Sequence, residues 1–188
     1  MIPPLEIRTH RLHLRPLGAE DFEDFAALHA DSRVMETLSS APLSRDQSRD
    51  ALSRLQSHAA SRGYGFWTVA LAPSGEFVGV VGLAVPSFEA AFTPCVGVEW
   101  RLVHRYWSRG FATEAATAAL RYAFEELRLP EILAWTSTGN VASRRVMAKL
   151  GMTHDPAEDF DHPGVPVGSP LREHVLYRIR RHSFIGTS

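Results

Sequence analysis

The stretch of sequence that decides the fold runs from Trp100 to Ala115 and reads WRLVHRYWSRGFATEA. It combines a β-rich segment, a short basic segment containing Gly110, and the start of a helical repeat. This order predicts a strand (Val96 to Val103), a loop and a long helix (Ala112 to Leu127). The free N–H groups at the start of such a helix are suited to binding phosphate, and a glycine lets a ligand approach the backbone closely. Taken alone, the segment is equally compatible with an ordinary strand-to-helix turn that exposes its arginines.

A second stretch repeats the same arrangement further along the chain. Residues 136–152 read TSTGNVASRRVMAKLGM, which predicts the end of a strand, a loop and a helix from Val141 to Leu150. Asn140 is a typical N-cap, and Ser143 follows three residues later on the same face of the first turn. Without further context, the two residues are a helix cap and a polar surface residue.

The remaining elements follow from hydrophobic periodicity and turn residues. We expect strands at Ile7 to Leu17, Phe66 to Leu71, Phe77 to Leu83, Glu131 to Thr136 and Glu173 to Arg180, helices at Ala19 to Ala30 and from a capping box at Ser44 to Gln47, and a long loop from Asp155 to Pro170. Strands interleaved with helices in this order predict an α/β fold, a mixed sheet covered by helices, in a single domain spanning residues 1–188.

The composition of the chain indicates which kinds of binding partner and which cellular compartment to expect. The chain has 188 residues, of which 45% are hydrophobic and 22% charged, and no apolar run is long enough to span a membrane. A single cysteine, Cys95, is consistent with a reducing compartment, and we expect a cytoplasmic protein. The net charge of −1 argues against nucleic acid as a partner. All but one of the 20 basic residues are arginine, the side chain best shaped for phosphate and carboxylate, the exception being Lys149.

The two stretches and the tail resemble one known family. They are similar to GCN5-related N-acetyltransferases (GNAT), of the branch that includes the RimJ and RimL ribosomal-protein acetyltransferases. The resemblance is carried by Trp107 to Ala115 (WSRGFATEA), Asn140 with Ser143, Lys149 to Met152 (KLGM), and the bacterial-type tail DFDHP at 159–163 with HVLY at 174–177. It implies the GNAT fold, a central, mostly antiparallel sheet that is splayed between two parallel strands and flanked by helices. It also implies that acetyl-CoA lies in the cleft between those strands.

The resemblance further implies a set of cofactor-binding residues. The backbone of Leu102 and Val103 would pair with the pantetheine amides, Asn140 would contact the cofactor, and the Ser143 hydroxyl would lie near its sulfur and stabilise the leaving thiolate. Backbone N–H groups of the loop would hold the pyrophosphate, namely those of Ser108, Arg109, Gly110, Phe111, Ala112 and Thr113. Relatives commonly carry Arg or Gln where this chain has Trp107, so we expect backbone amides to hold the phosphates, and Arg105 and Arg109 can add charge-assisted hydrogen bonds.

The acid/base residue departs from the family pattern. Relatives commonly read Glu-Ile-Gly before the Trp-Arg-Leu run, whereas this chain reads Gly97-Val98-Glu99. A shift of two residues along a strand leaves the carboxylate on the same face, so Glu99 can act as the base or position a water for an amine. The alternative is a salt bridge from Glu99 to Arg101, two residues along on that face.

The function implied is transfer of an acetyl group from acetyl-CoA to a primary amine by direct attack, with a protein N-terminus and a small-molecule amine as the two acceptor classes. The alternative is a catalytically weak or inactive module that binds acyl-CoA as a sensor. His and Asp residues at 154–174 lack tight metal-ligand spacing, so we expect no metal. Neither a membrane nor nucleic acid is expected as a partner, and a homodimer is compatible with the resemblance.

Overall fold

The computed structural model describes residues 6–36, 38 and 41–185. The described helices are α1 (Phe22–Ala30), α2 (Ser32–Met35), α3 (Arg45–Arg62), α4 (Phe111–Glu125) and α5 (Val141–Lys149). The described strands are β1 (Ile7–Arg8), β2 (Leu12–Pro16), β3 (Phe66–Leu71), β4 (Phe77–Ala84), β5 (Gly97–Leu102), β6 (Glu131–Ser137), β7 (Thr153–His154), β8 (Phe160–Asp161) and β9 (Glu173–Arg180). Within these described ranges, no helix has both the length and the apolarity needed to cross a bilayer.

All the strands belong to one sheet. Their order is β1-β2-β3-β4-β5-β6-β9-β7, with β8 paired to β9. Every neighbouring pair is antiparallel except β5 and β6, which run parallel. The predicted mixed α/β fold, with a mostly antiparallel sheet and two parallel strands, is confirmed.

Helices cover both faces of this sheet. On one face, α4 supplies a row of alanines with Leu120 and Phe124, which pack on apolar residues from β2 to β6 and β9. On the other face, Phe25, Leu28 and Leu52 of α1 and α3 pack against β3 and β4. Because β4 is covered on both sides, its residues from Phe77 to Leu83 are all buried, which explains why the sequence there is continuously apolar.

Several local signals act as the sequence predicts. The capping box of α3 forms, with Gln47 N donating to Ser44 Oγ and Ser44 N donating to Gln47 Oε1. Gly63 ends this helix in the left-handed region at φ 78°. Gly151 follows α5 with φ 77°, as expected for a residue that terminates a helix.

Several elements differ from the sequence-based expectation, among them the short strand β7 at Thr153–His154, which was not predicted. The predicted strand from Ile7 to Leu17 is split into β1 and β2, because Thr9 Oγ1 accepts a hydrogen bond from Leu12 N and turns the chain. The short helix α2 follows α1 directly, with Asp31 as its N-cap. The predicted loop from Asp155 to Pro170 contains a 3₁₀ turn and the short strand β8.

The parallel strands β5 and β6 are hydrogen-bonded to each other at one end and separate toward the other end. Gly97 pairs with Leu133, and Leu133 N donates to Val96 O at 3.0 Å. Residues 98–102 and 134–137 of the two strands do not pair with each other. The sheet therefore carries a cleft in its middle, directly before the loop that leads to α4.

Candidate active site

Backbone groups without a strand partner line both sides of the cleft. Val103 N donates to Val78 O, so the odd-numbered residues of this stretch bond to β4, and the backbone groups of Trp100 and Leu102 point toward β6. By the same alternation, Trp135 and Ser137 of β6 point toward β5. Strand edges in a protein interior need partners, so this cleft suits an extended ligand that carries amides.

Side chains and turns near the cleft limit which of these groups are available. The Trp107 indole Nε1 donates to Leu102 O at 2.8 Å, which leaves the Leu102 N–H for a ligand. Both backbone groups of Val103 are engaged, since its N–H bonds Val78 O and its C=O accepts from Tyr106 N. The Ser137 hydroxyl is buried and has no hydrogen-bond partner among the described residues.

The loop before α4 has the shape of an anion-binding turn. Ser108 and Gly110 both have positive φ values, 59° and 80°, which fold the backbone back on itself. Gly110 is the N-cap of α4, and no side chain caps the helix there. The first N–H groups of a 15-residue helix, from Phe111 to Thr113, are therefore left for an external acceptor.

Arg11, the residue directly before β2, is bonded both to this loop and to α4. Its Nε donates to Glu114 Oε2 at 2.7 Å, its Nη1 donates to Arg109 O at 3.0 Å, and its guanidinium lies 4.5 Å from the centre of the Phe111 ring. Thr9 Oγ1 also donates to Glu114 Oε1. No local sequence pattern marks Arg11 as part of the site, because its partners lie about a hundred residues away in the chain.

The start of α5 places Ser143 at the edge of the cleft. Asn140 is the N-cap, and its Oδ1 accepts from Ser143 N at 3.1 Å. Its Nδ2 donates to Thr136 Oγ1 at 2.8 Å and to Ser143 Oγ at 3.0 Å. Since Ser143 Oγ accepts from Asn140, its own proton is free to be donated elsewhere. Asn140 is nearly buried and uses both of its Nδ2 donors in this way.

Glu99 lies on the sheet face opposite α4. Its neighbours in β5, Val98 and Trp100, contribute to the core beneath α4, while Glu99 points toward the side covered by α1 and α3. Arg101 Nη2 donates to Glu99 Oε2 at 2.8 Å, so the salt bridge expected as the alternative role is present. The Glu99 side chain remains 34% exposed, so the carboxylate can still be reached from solvent.

An aromatic cluster covers the same sheet face beside Glu99. It consists of rings from the loop between β4 and β5, from β6, from the segment around β8, and from β9, namely Phe88, Phe92, Trp135, Phe160, His162 and His174. Gly97 makes room for it, because a Cβ there would lie 2.7 Å from the Trp135 ring. Burial lowers the pKa of His162 and of His174, so both rings are neutral near pH 7.

Other candidate groups are engaged or inert. Arg105 donates to Glu76 Oε1 at 2.7 Å, so its guanidinium is bonded to the turn between β3 and β4. Burial raises the pKa of the Cys95 thiol to about 11, which keeps it protonated. Among the described residues, no group of three or more His, Cys, Asp or Glu side chains is arranged to hold a metal ion.

Comparison with known proteins connects this geometry to one family. Residues 11–153 match the family described as acetyltransferase (GNAT) domain. The chain is 36% identical to "FsC-acetyl coenzyme A-N(2)-transacetylase" of Aspergillus fumigatus, over 95% of this chain and 77% of that protein. It superposes on a crystal structure of an acetyltransferase from Agrobacterium tumefaciens with a TM-score of 0.74 and 27% identity, covering 94% of each chain. A GNAT-family acetyltransferase from Bacillus anthracis shares the fold, with a TM-score of 0.76 and 24% identity, over 95% of this chain and 99% of that one.

Proposed function

The chain belongs to the GNAT acetyltransferase family, and from that premise we propose that it transfers the acetyl group of acetyl-CoA to a primary amine by direct attack. The observation that carries this proposal is the splayed pair β5 and β6, whose unpaired backbone groups lie beside the uncapped N-terminus of α4. One ligand with amides at one end and phosphates at the other satisfies both features. The relatives named as transferases favour an enzyme over a non-catalytic acyl-CoA sensor.

The described residues offer polar groups to each part of acetyl-CoA in this proposal. The pantetheine amides can bond to the N–H of Leu102 and to the backbone groups of Trp100. Val103 could take part only if its C=O, which already accepts from Tyr106 N, accepted a second hydrogen bond. The N–H groups from Ser108 to Thr113 are offered to the pyrophosphate, with Arg109 as the nearby cation. An open groove of about 870 Å³ continues from Gly110 along α4 to Lys149 and has room for the rest of the ligand.

Two side chains carry the chemistry in this proposal. The Ser143 hydroxyl, oriented by Asn140, donates its free proton as a hydrogen bond to the departing thiolate. Glu99 accepts the proton of the attacking amine, directly or through a water. A cleft-facing N–H of β5 is available to the developing oxyanion. Orientation of the two substrates supplies much of the remaining rate enhancement.

The acceptor is a protein N-terminus or a small-molecule amine. An α-amine with a pKa of about 8 is far easier to deprotonate at pH 7 than a lysine side chain at about 10.4, so we favour an α-amine. The name of the Aspergillus relative, which specifies an N(2) nitrogen, supports an amine acceptor. The WSRGFATEA and KLGM motifs support placement in the RimJ/RimL-like branch, and the tail motifs at 159–163 and 174–177 support its bacterial-type subgroup. We further propose a single-domain cytoplasmic enzyme, active as a monomer or homodimer, that requires no metal.

Thiol release provides the test. Purified protein is incubated with acetyl-CoA and a panel of α-amines, polyamines and lysine peptides, and free CoA is measured. We expect release that depends on one acceptor class. The Ser143→Ala variant should lose turnover while its affinity for acetyl-CoA stays unchanged. Ser53→Ala, an exposed serine on α3, is the matched control. Unchanged turnover of Ser143→Ala at saturating acetyl-CoA would contradict the role of Ser143, and absence of release with every amine would contradict the proposed function.

A further inference from the structure

A buried histidine is connected to Glu99 through Arg101. His29 lies on α1, is 2% exposed, and packs its ring 4.1 Å from the ring of Phe25. Its Nδ1 lies 2.8 Å from the carbonyl oxygen of Phe25, and its Nε2 lies 3.1 Å from Arg101 Nη1. Arg101 in turn donates from Nη2 to Glu99 Oε2. The three side chains form a continuous series from the helix to the sheet.

The contacts fix the protonation state of His29. A carbonyl oxygen only accepts, so Nδ1 must carry the proton and donate it to Phe25 O. A guanidinium only donates, so Nε2 must offer its lone pair to Arg101. Burial, reinforced by the positive charge of Arg101, lowers the pKa of His29 to about 4. The ring is therefore neutral at physiological pH, with one tautomer selected by its two partners.

This arrangement fixes the orientation of Arg101. A guanidinium is planar, so holding Nη1 on His29 determines where Nη2 points. The guanidinium also lies 5.7 Å from the centre of the Phe66 ring. With Nη2 directed at Oε2, the Glu99 carboxylate is held on the face of the sheet described above. The other oxygen, Oε1, takes no part in this bond.

We propose that His29 is a positioning residue, which acts through Arg101 to hold the Glu99 carboxylate with Oε1 directed toward the acceptor amine. This inference rests on the proposed function, because it assigns a purpose to a contact with the proposed base. Without the acceptor at Nε2, Arg101 Nη1 loses its buried partner and the guanidinium is free to rotate. The carboxylate then samples several orientations, and fewer encounters with the amine are productive.

A double-mutant cycle tests the inference. His29→Leu removes the acceptor, Glu99→Gln removes the proposed base, and the double variant combines them. We expect His29→Leu to lower kcat about tenfold, a part of the roughly 10²–10⁴-fold contributed by a positioned general base. KM for acetyl-CoA should not change. In the Glu99→Gln background, His29→Leu should change kcat by less than about twofold, because the group through which it acts is already gone.

Two further variants separate positioning from stability. His29→Gln keeps both a donor and an acceptor in its amide, so it should restore most of kcat. Leu28→Val, which shortens a buried side chain on the same helix without touching Arg101, should lower the melting temperature but leave kcat unchanged. Should His29→Leu fail to fold, Arg101→Lys replaces it in the cycle, since an ammonium cannot bridge the two partners as the planar guanidinium does.

The outcomes distinguish this inference from the proposed function. An equal loss of kcat from His29→Leu in both backgrounds, or no loss in either, overturns the positioning role. If Glu99→Gln releases CoA as fast as the unmodified protein, the inference falls while the acetyltransferase activity stands. If the unmodified protein releases no CoA with any amine, the proposed function itself has failed.

Discussion

Replacing Asn140 by alanine should destabilise the protein and impair turnover together. Asn140 makes three hydrogen bonds at the junction of β6 and α5, to Ser143 N, Ser143 Oγ and Thr136 Oγ1. Loss of the helix cap costs about 1 kcal/mol. Loss of the nearly buried bond to Thr136 costs about another 1 kcal/mol, and the half-buried bond to Ser143 Oγ less. We therefore expect the free energy of unfolding to fall by about 2–3 kcal/mol.

Thermal and urea denaturation measure this effect directly. For a chain of this length, each 1 kcal/mol lowers the melting temperature by about 2–4 °C, so Asn140→Ala should melt about 4–12 °C below the unmodified protein. Ser143→Ala is the matched control, because it loses the bond between the two side chains but keeps the cap. It should be destabilised by only about 0.5 kcal/mol. If Asn140→Ala melts within about 2 °C of the unmodified protein, the junction does not depend on these bonds and the reasoning is refuted.

Three further predictions concern pH, packing and the loop. The pKa of His29 is 6.5 in the unfolded chain and about 4 in the folded one, so the unfolded chain binds a proton more tightly. The contribution of neutral His29 to the free energy of unfolding is therefore complete above pH 6.5 and is lost as the pH falls through 4. Urea denaturation at several pH values should show a loss of about 3 kcal/mol in the unmodified protein that is absent from His29→Gln. If the two proteins lose stability in parallel as the pH falls, this prediction is contradicted. Gly97→Ala should cost about 1–3 kcal/mol through its clash with the indole beside it. Gly139→Ala, where an added Cβ meets nothing within 4 Å, should cost less than about 1 kcal/mol in the same denaturation assay. Arg11→Leu should weaken acetyl-CoA binding several-fold in calorimetry while kcat at saturation holds, and unchanged affinity would show that the loop does not need its contacts with Arg11.

Local signals predicted the elements around the cleft well. Residues that act within one turn of the chain, such as Asn140 as N-cap and the Ser44 capping box, were found because their partners lie three residues away. The same reasoning could have found α2, where Asp31 Oδ1 accepts from Arg33 N just after α1 ends. The salt bridge from Arg101 to Glu99 was predicted as the alternative role of Glu99, since two residues along a strand share a face.

Contacts between distant parts of the chain were not predictable from the sequence pattern. His29 fits the apolar stripe of α1 as well as it fits a polar role, and only the folded chain brings Arg101, 72 residues later, to its Nε2. The strand predicted from Ile7 to Leu17 is interrupted at Thr9, which also bonds Glu114, 105 residues away. In both cases the pattern of polar and apolar residues is the same with or without the long-range contact. The periodicity of the sequence therefore does not indicate that contact.

The contact between Arg11 and Glu114 also has a consequence for the order of folding. The two residues are 103 positions apart, so this bond closes a long loop that includes α1 to α3 and β3 to β5. Closing such a loop is entropically costly and is repaid only when the intervening elements have packed. We therefore expect the turn at Ser108 to Gly110 to acquire its final shape only after these elements have packed. A chain that forms α4 before this contact closes would lack the anion-binding turn, so we expect ligand binding to report on the packing of the strands from β2 to β5.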